Sequence, residues 1–287
     1  MDIQKVAVIG GGLMGRQIAL NAAIYGYQVK VTDISEKVRA DVKSWEDEYL
    51  AGRIAKGRMT AEQVEGIKTR FQIVESIQAA VCDADLVIEA VVEVEEIKKA
   101  VFREVSLYAP EGAIMATNSS RMPSSLFADS VPDPSRLANT HYNNPALVMK
   151  LVEVQVHEKT SEETIQTLMD FVRKNGKEPV LIRKELEGML VSRVLGKINQ
   201  EAFYIVENGY ATPQDVDKAM EKGLNHPMGP FRLLDLTGID LTYTILCRRY
   251  QDQGVKPLGF DLLKSMVDQG KLGRKTGHGF YDYTDEK

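Results

Sequence analysis

Little in this chain of 287 residues points to disulfides, to a membrane or to nucleic acid. Its only cysteines are Cys82 and Cys247, too few for a disulfide framework, so a reducing compartment is expected. No run of about eighteen apolar residues is present, which excludes a spanning helix. The net charge of −5 argues against a large basic surface for nucleic acid. The first strand pattern begins at Lys5, which leaves no room for a signal or transit peptide. We therefore expect a cytoplasmic protein, and no metal site is predicted.

A glycine-rich turn lies between two strand patterns near the start of the chain. The apolar run Lys5–Ile9 is typical of a strand buried on both faces of a parallel sheet. It leads into the turn GGGLMG, then into a helical pattern and a second strand, Gln28–Thr32, which ends at Asp33. This order is the dinucleotide-binding fingerprint, with the pyrophosphate at the helix N-terminus and the acidic residue at the adenosine ribose. Because that carboxylate repels a 2′-phosphate, we predict NAD, bound by Gly10, Gly12, Leu13, Met14, Gly15 and Asp33.

Polar residues follow two further buried-strand patterns, at 84–92 and 113–117. Glu93 ends the first pattern, and Asn118 and Ser120 follow the second. Ligands of doubly wound sheets bind beyond the carboxyl ends of the strands, so these residues are expected to share one crevice with the glycine turn. Ser120 lacks the GxSxG context of a hydrolase nucleophile.

The segment 35–69 is longer than a simple crossover and predicts two helices, the second opened by a capping box at Thr60. Between the two helices lies a basic cluster of Arg53, Lys56 and Arg58. Two interpretations stay open. Such a turn is commonly a solvated surface, and it could also anchor a substrate that carries phosphate.

The stretch from Thr140 to Val156 holds the strongest candidate for acid–base chemistry. Its second half alternates as a strand does, which places Glu153 among apolar neighbours, where a carboxylate is costly without a partner. His141 is the nearest candidate in sequence, and a His oriented by a buried Glu can act as a general base. The alternative is that His141 ends a strand and Glu153 faces water.

The character of the chain changes after residue 184. Before it, a helix at 161–175 and a last strand, Glu178–Ile182, complete an α/β pattern. After it, the patterns are helical, beginning with a long apolar helix at 189–208 that could form a dimer surface. We predict an N-terminal Rossmann-type doubly wound sheet that binds the dinucleotide, residues 1–184. A smaller all-helical domain for substrate and dimerisation would follow, residues 185–287.

These motifs together resemble the short, single-function 3-hydroxyacyl-CoA dehydrogenases, and the resemblance runs nearly end to end. It rests on VAVIGGGLMG, DLVIEAVVE, TNSS, the H-x-x-N-P motif at His141, and MKLVEV. In the helical part it rests on HPMGPFRLLDLTGID and GRKTGHGFYDY.

The resemblance implies a role for each matching position. His141 and Glu153 would form the catalytic pair, and Ser120 would hydrogen-bond near the reacting oxygen of the substrate. Asn144 would lie by the nicotinamide and the substrate. Glu93 and Lys98 would lie by the nicotinamide ribose, and the helical hairpin with Arg53 and Lys56 would touch coenzyme A.

Three departures from the family pattern surround the same pocket. Ser192 stands where the family's P-G-F-x-x-N-R motif usually has its Asn. The family usually has two aromatic residues after the catalytic His, whereas this chain has Tyr142-Asn143. Arg121 follows Ser120 where a small residue is common. These changes could retune the pocket for a polar or charged acyl group, or mark lowered activity.

The expected function is NAD-dependent oxidation of the 3-hydroxyl of a short 3-hydroxyacyl-CoA, and the reverse. One alternative is a dehydrogenase of a related compound without CoA, as in the similar carnitine and gulonate dehydrogenases. Another is a structural NAD-binding protein of the crystallin-like kind. The joint presence of Ser120, His141 and Glu153 argues against the structural role.

Overall fold

The computed structural model describes residues 1–285, and its chain divides into two compact units, Met1–Leu190 and Val191–Lys287. Each unit has hydrophobic core residues of its own. The domain limits predicted from the sequence, 1–184 and 185–287, stay a prediction.

The first unit is built on one sheet, which has eight strands within residues 1–285. Their order in the sheet is β3-β2-β1-β4-β5-β6-β7-β8. The strands are β1 (Lys5–Ile9), β2 (Gln28–Thr32), β3 (Phe71–Ile73), β4 (Leu86–Glu89), β5 (Ile114–Thr117), β6 (Leu137–Tyr142), β7 (Leu151–Gln155) and β8 (Glu178–Ile182). From β3 to β6 all neighbours are parallel, whereas β7 runs antiparallel to β6 and β8 runs parallel to β7. The predicted doubly wound α/β fold is confirmed.

Helices cover both faces of this sheet because successive strand residues point to opposite sides. In β1, Val6 and Val8 belong to one hydrophobic core, and Ala7 and Ile9 belong to the other. The helices of the unit are α1 (Leu13–Ile24), α2 (Glu36–Ala55), α3 (Ala61–Arg70), α4 (Ile77–Val81), α5 (Glu95–Tyr108) and α6 (Glu162–Lys174). Thr60 closes the capping box predicted for the start of α3.

One predicted strand is too long. The apolar pattern at 84–92 forms a strand only over Leu86–Glu89, because its neighbour β1 ends opposite Glu89 at Ile9. Ala90 still donates its N–H to the carbonyl oxygen of Ile9, and Val91 then donates its N–H to the side chain of Glu89 at 2.7 Å. Glu93 therefore lies in the loop after β4, four residues beyond the strand end.

The second unit is helical, as predicted. It contains α7 (Leu190–Glu207), whose first residue belongs to the first unit, and α8 (Pro213–Gly223), α9 (Pro230–Thr237), α10 (Ile239–Gln253) and α11 (Phe260–Asp268). Two buried carboxylates bind the C-terminal segment to these helices: Asp217 accepts a hydrogen bond from the Tyr281 hydroxyl, and Asp235 accepts one from the Tyr283 hydroxyl. Within residues 1–285, no helix has both the length and the apolar character needed to cross a membrane.

A buried histidine of the first unit gives the fold a pH dependence. His157 follows β7 and is 6% exposed, and burial lowers its pKa below the usual 6.5. The folded state therefore binds fewer protons than the unfolded state in this range. Well above pH 6.5 this histidine is neutral in both states and does not affect the free energy of unfolding, whereas the folded state loses stability as the pH falls below 6.5.

We expect the free energy of unfolding to drop more in the wild type than in His157→Gln as the pH falls from about 7.5 to about 5.5. Urea unfolding of both proteins at the two pH values measures this difference. Parallel losses in the two proteins would show that His157 does not contribute.

Candidate active site

The glycine turn of the first unit has the shape that a pyrophosphate needs. Gly10 has a φ of +108°, and a Cβ there would lie 2.6 Å from the carbonyl oxygen of Ala90. A Cβ on Gly15 would lie 1.8 Å from the carbonyl oxygen of Gly10, so helix and turn could not pack with a larger residue. At Gly12, by contrast, a Cβ meets open space. This space lies over the start of α1, where no side chain caps the helix and no acidic residue occupies the first turn. Leu13 and Met14 begin that helix, so their backbone N–H groups belong to the anion-binding end.

Asp33 follows β2 and stabilises this turn by hydrogen bonding. Its carboxylate accepts hydrogen bonds from the backbone N–H groups of Gly11 and Ser35, each at 2.9 Å. The side chain is partly exposed, so its remaining lone pairs can accept from ribose hydroxyls. The turn fits a dinucleotide whose ribose carries no 2′-phosphate.

The hydrogen bond between His141 and Glu153 is the best-defined feature of the site. The two residues are directly opposed in the antiparallel pair of β6 and β7, so their side chains leave the same face of the sheet. The Nδ1 of His141 lies 2.9 Å from Oε2 of Glu153. The Glu153 side chain is fully buried, whereas the imidazole is 12% exposed. The carboxylate thus holds one ring nitrogen, and Nε2 is left for chemistry.

The second oxygen of Glu153 is also held. Its Oε1 accepts a hydrogen bond from the backbone N–H of Leu190 at 2.8 Å. Gly188 and Met189 precede Leu190 with φ values of 82° and 57°, so the chain enters α7 through two left-handed residues. Met189 is a rare position for such a conformation, since a Cβ disfavours it.

Asn118 links the end of β5 to the strand that carries His141. Its Oδ1 accepts a hydrogen bond from the backbone N–H of Tyr142 at 2.9 Å. Ser120 lies two residues further on and is partly exposed, in the loop at the same edge of the sheet. Tyr142 itself is 2% exposed, and burial raises its pKa, so its phenol is not a candidate acid.

Sequence reasoning missed a buried ionic network beside this loop. Glu89, the last residue of β4, accepts hydrogen bonds from Lys98 Nζ at 2.7 and 3.0 Å and from Thr117 Oγ1 at 2.6 Å. Lys98 also lies 3.2 Å from Glu93, which accepts a hydrogen bond from the Ser119 hydroxyl. The network fixes Ser119, and therefore its neighbours Asn118 and Ser120. The one charged residue in the apolar run LVIE was the available signal.

The predicted cofactor residue Lys98 is 1% exposed, and its ammonium lies between Glu89 and Glu93. It acts here as the centre of the network, and its place beside a nicotinamide ribose stays a prediction. Glu93 is exposed at the outer end of the network. Asn144, predicted to lie by the nicotinamide, is exposed in the loop after β6 and precedes a cis peptide bond to Pro145.

The predicted substrate residues lie on two separate units. Arg53 stacks over the ring of Tyr49 on α2, and Lys56 is exposed at the C-cap of that helix. Ser192 is exposed on the first turn of α7 in the second unit. Within residues 1–285, no cluster of three or more His, Cys, Asp or Glu side chains could hold a metal ion.

A second cation, on α1, stacks on an aromatic side chain of α2, and the sequence did not indicate this contact. The guanidinium of Arg16, next to the glycine turn, lies 4.7 Å from the centre of the Trp45 ring. Trp45 in turn stacks on Tyr49, with ring centres 5.7 Å apart. Within residues 1–285, neither Arg16 nor Arg53 forms an ion pair with a carboxylate, so both guanidinium groups can bind an anion. This arrangement favours the second interpretation of the basic turn, an anchor for phosphate.

Comparison with known proteins assigns both parts of the chain to one group. The family model of the 3-hydroxyacyl-CoA dehydrogenase NAD-binding domain matches residues 5–186, and that of the C-terminal domain matches residues 188–283. The human mitochondrial hydroxyacyl-coenzyme A dehydrogenase is 38% identical over 98% of this chain and 91% of its own. A probable 3-hydroxybutyryl-CoA dehydrogenase of Bacillus subtilis is 36% identical over 100% of this chain and 99% of its own. Among solved structures, a diketoreductase matches with a TM-score of 0.89 and 28% identity, over 99% of this chain and 100% of that chain.

Proposed function

Because the chain belongs to the 3-hydroxyacyl-CoA dehydrogenase family, we propose that His141 and Glu153 are the acid–base pair of its reaction. The chain is an NAD-dependent oxidoreductase that interconverts a 3-hydroxyacyl-CoA and the 3-ketoacyl-CoA. The observation that carries the proposal is the 2.9 Å contact between a fully buried carboxylate and a partly exposed imidazole. The test is whether the purified protein oxidises NADH when acetoacetyl-CoA is supplied.

The proposed residues divide the reaction into proton transfer, stabilisation of the imidazolium and binding of the reacting oxygen. The glycine turn and Asp33 would hold NAD, which would supply the hydride acceptor for oxidation at C3 and the hydride donor for the reverse reaction. His141 takes the proton of the 3-hydroxyl on Nε2, because Nδ1 is engaged by Glu153. Glu153 fixes the tautomer and stabilises the imidazolium that forms. Ser120 hydrogen-bonds the reacting oxygen, and Asn144 lies against the nicotinamide and the substrate.

Asp33 is the proposed selector of NAD over NADP. Asp33→Asn keeps an oxygen that can accept from a backbone N–H, but it removes the charge that repels a 2′-phosphate. The ratio of kcat/KM for NADPH to that for NADH is expected to rise about tenfold or more, since hydrogen bonds to a charged group contribute about 1.5–3 kcal/mol. Steady-state kinetics with both cofactors measures it, and Glu36→Gln, an exposed carboxylate nearby on α2, is the control. An unchanged ratio in Asp33→Asn would exclude the ribose contact.

Lys56 and Arg53 are proposed to bind phosphate groups of coenzyme A. Lys56→Ala is expected to raise KM for acetoacetyl-CoA by about three- to tenfold, the scale of one exposed charge contact. KM for S-acetoacetyl-N-acetylcysteamine, which lacks the nucleotide, is expected to stay the same. Lys37→Ala, an exposed lysine at the other end of α2, is the matched control. Equal changes for both substrates would contradict a CoA contact at Lys56.

A second candidate is a dehydrogenase of a related compound without CoA. The match to a diketoreductase over the whole chain favours it, as does Ser192 in place of the family Asn. Arg53 and Lys56 at the end of α2 support the CoA substrate instead, because a small compound without phosphate would make no ion pair with them.

We further propose a homodimer formed through the helical unit, in the cytoplasm, with no nucleic-acid partner. Exposed apolar side chains support the dimer: Val194 on α7 is 60% exposed, and Leu241 and Ile245 on α10 are 55% and 50% exposed. The two residues of α10 are four positions apart and share one helix face. Burying such a face against a second copy would remove apolar surface from water.

A further inference from the structure

A buried cation of the first unit has no part in the proposed acid–base chemistry. Lys177 lies between α6 and β8 and is 6% exposed. Its ammonium donates hydrogen bonds to the backbone carbonyl oxygens of Ala146 and Met149, the latter at 2.9 Å. Within residues 1–285 its partners are these uncharged carbonyls, and the one charge that acts on it is that of Lys150, which has the same sign.

Such a position is costly for an ammonium. Burial, and then the nearby Lys150, lower the pKa of Lys177 from its usual 10.5. Taking a charge out of water without an opposite charge disfavours the folded state unless the hydrogen bonds are good. A methionine of similar length would fill the same space without this cost, but it would leave the carbonyl oxygens of Ala146 and Met149 without their donor. The hydrogen bonds to these two oxygens, rather than packing, therefore account for a cation at this position.

The segment held by Lys177 is the one that joins the proposed catalytic pair. Residues 143–150 connect β6, which carries His141, to β7, which carries Glu153. Within this segment the N–H groups of Val148 and Met149 both donate to the carbonyl oxygen of Pro145, forming a single turn. The carbonyls at the end of such a turn have no partner further along the chain, and a cation stabilises them.

The other side-chain tethers of this segment are longer. The exposed ammonium of Lys150 lies 3.3 Å from Gly176 O. Leu147 N lies 3.5 Å from Gln17 Oε1, and Asn143 Nδ2 lies 3.5 Å from Leu151 O, both at the limit of a hydrogen bond. In the described part of the chain, the bonds from Lys177 are thus the shortest side-chain contacts that hold the turn, which begins directly after Asn144.

We propose that Lys177 is a positioning residue, whose ammonium fixes the turn after Asn144 and so fixes Asn144 relative to His141. The inference rests on the proposed function, in which this loop faces the nicotinamide and the substrate. Misplacing a group by about 1 Å at a reacting centre can reduce a rate by about a hundredfold, so a loose loop slows hydride transfer.

The test compares Lys177→Met with Lys150→Met. Lys150 is the matched control, because its ammonium also donates to a backbone carbonyl, that of Gly176 at 3.3 Å, but from an exposed position. For Lys177→Met we expect kcat with acetoacetyl-CoA to fall about 10- to 100-fold, with the Kd of NADH within about twofold. The isotope effect with NADH deuterated at the transferred position is expected to rise, because hydride transfer becomes limiting. Lys150→Met is expected to keep its kcat within about twofold.

Two results would overturn the proposal: a kcat for Lys177→Met within about threefold of the wild type, or an equal fall in both variants. A role in stability alone would lower the melting temperature and leave the isotope effect unchanged, which also contradicts positioning. If Lys177→Met does not fold, Lys177→Arg and Lys177→Gln decide. The arginine variant, which keeps the cation, is expected to retain at least about tenfold more kcat than the glutamine variant, and equal values would refute the role.

Hydrogen exchange separates this inference from the proposed function. The amides of Val148 and Met149 are expected to exchange faster in Lys177→Gln than in the wild type, whatever the substrate is. If the wild type does not turn over acetoacetyl-CoA, the proposed substrate fails, and the exchange result still decides whether Lys177 holds the turn. Unchanged exchange would show that it does not.

Discussion

Replacing His141 by glutamine is expected to lower kcat with acetoacetyl-CoA by at least about a hundredfold, the usual scale for losing a general acid or base. Glutamine can still donate a hydrogen bond to the Glu153 carboxylate, but its amide cannot take up the proton of the 3-hydroxyl. The Kd of NADH is expected to stay within about twofold, because the glycine turn and Asp33 are untouched. Stopped-flow or steady-state kinetics together with NADH fluorescence titration give both quantities.

His157→Gln is the control for His141→Gln. His157 is a buried histidine of the same unit, and it lies after the opposite end of the β6–β7 pair, so its loss is expected to leave kcat within about twofold. A His141→Gln variant with a near-normal kcat would remove His141 from the role of acid and base. A large loss of NADH binding would mean that the substitution disturbs the cofactor site instead.

Replacing Glu153 by glutamine is expected to have an effect of similar size, although the side chain keeps its shape. The Oε1 contact with Leu190 N can persist, which places the new amide group against Nδ1 of His141. Since the amide N–H can only donate, Nδ1 must accept and the ring proton moves to Nε2, the nitrogen that should be free. The wrong tautomer costs about 10²- to 10⁴-fold in kcat for a histidine held in this way.

Glu178→Gln on the adjacent strand β8 is the matched control, because Glu178 is exposed and its loss leaves the pair intact. Its kcat is expected to equal that of the wild type within about twofold. If Glu153→Gln retained more than about a third of the wild-type kcat, the carboxylate would not be setting the tautomer of His141. The proposed pair would then reduce to His141 alone.

The parts of the fold that could be predicted are those that local sequence patterns determine. The run from β1 through the glycine turn to Asp33 was predictable because each step has its own signal, namely an apolar strand, glycines that a Cβ would displace, and an acidic strand end. The apolar neighbours of Glu153 followed from its position in an alternating strand. Its direct opposition to His141 depends on the register of two antiparallel strands, which the local pattern of neither strand determines.

The contacts that were missed join residues far apart in the chain. The hydrogen bond from Leu190 N to Glu153 follows two successive residues in the left-handed conformation. A methionine in the sequence, here Met189, does not indicate a positive φ. The stacking of Arg16 on Trp45 depends on how α1 and α2 pack. Both contacts depend on tertiary packing, which local sequence patterns do not determine.

Burial of charge was equally hard to foresee. Glu89 and Lys98 are nine residues apart and are of types exposed in most proteins, yet here they form an ion pair at 2.7 Å with both side chains buried. Lys177 stands in a polar stretch that is typical of an ordinary turn between helix and strand. Only the folded chain brings the carbonyls of Ala146 and Met149 to its ammonium.

The most direct test of the central claim is NADH oxidation by the wild-type protein with three ketones under the same conditions: acetoacetyl-CoA, free acetoacetate and 3-dehydrocarnitine. The proposed function predicts fast turnover with the CoA ester alone, since only the ester carries the phosphate groups that Arg53 and Lys56 are proposed to bind. Turnover with a free acid but not with the ester, in protein that still binds NADH, would contradict it. The departures from the family pattern at Tyr142, Asn143 and Ser192 would then accompany a substrate without CoA.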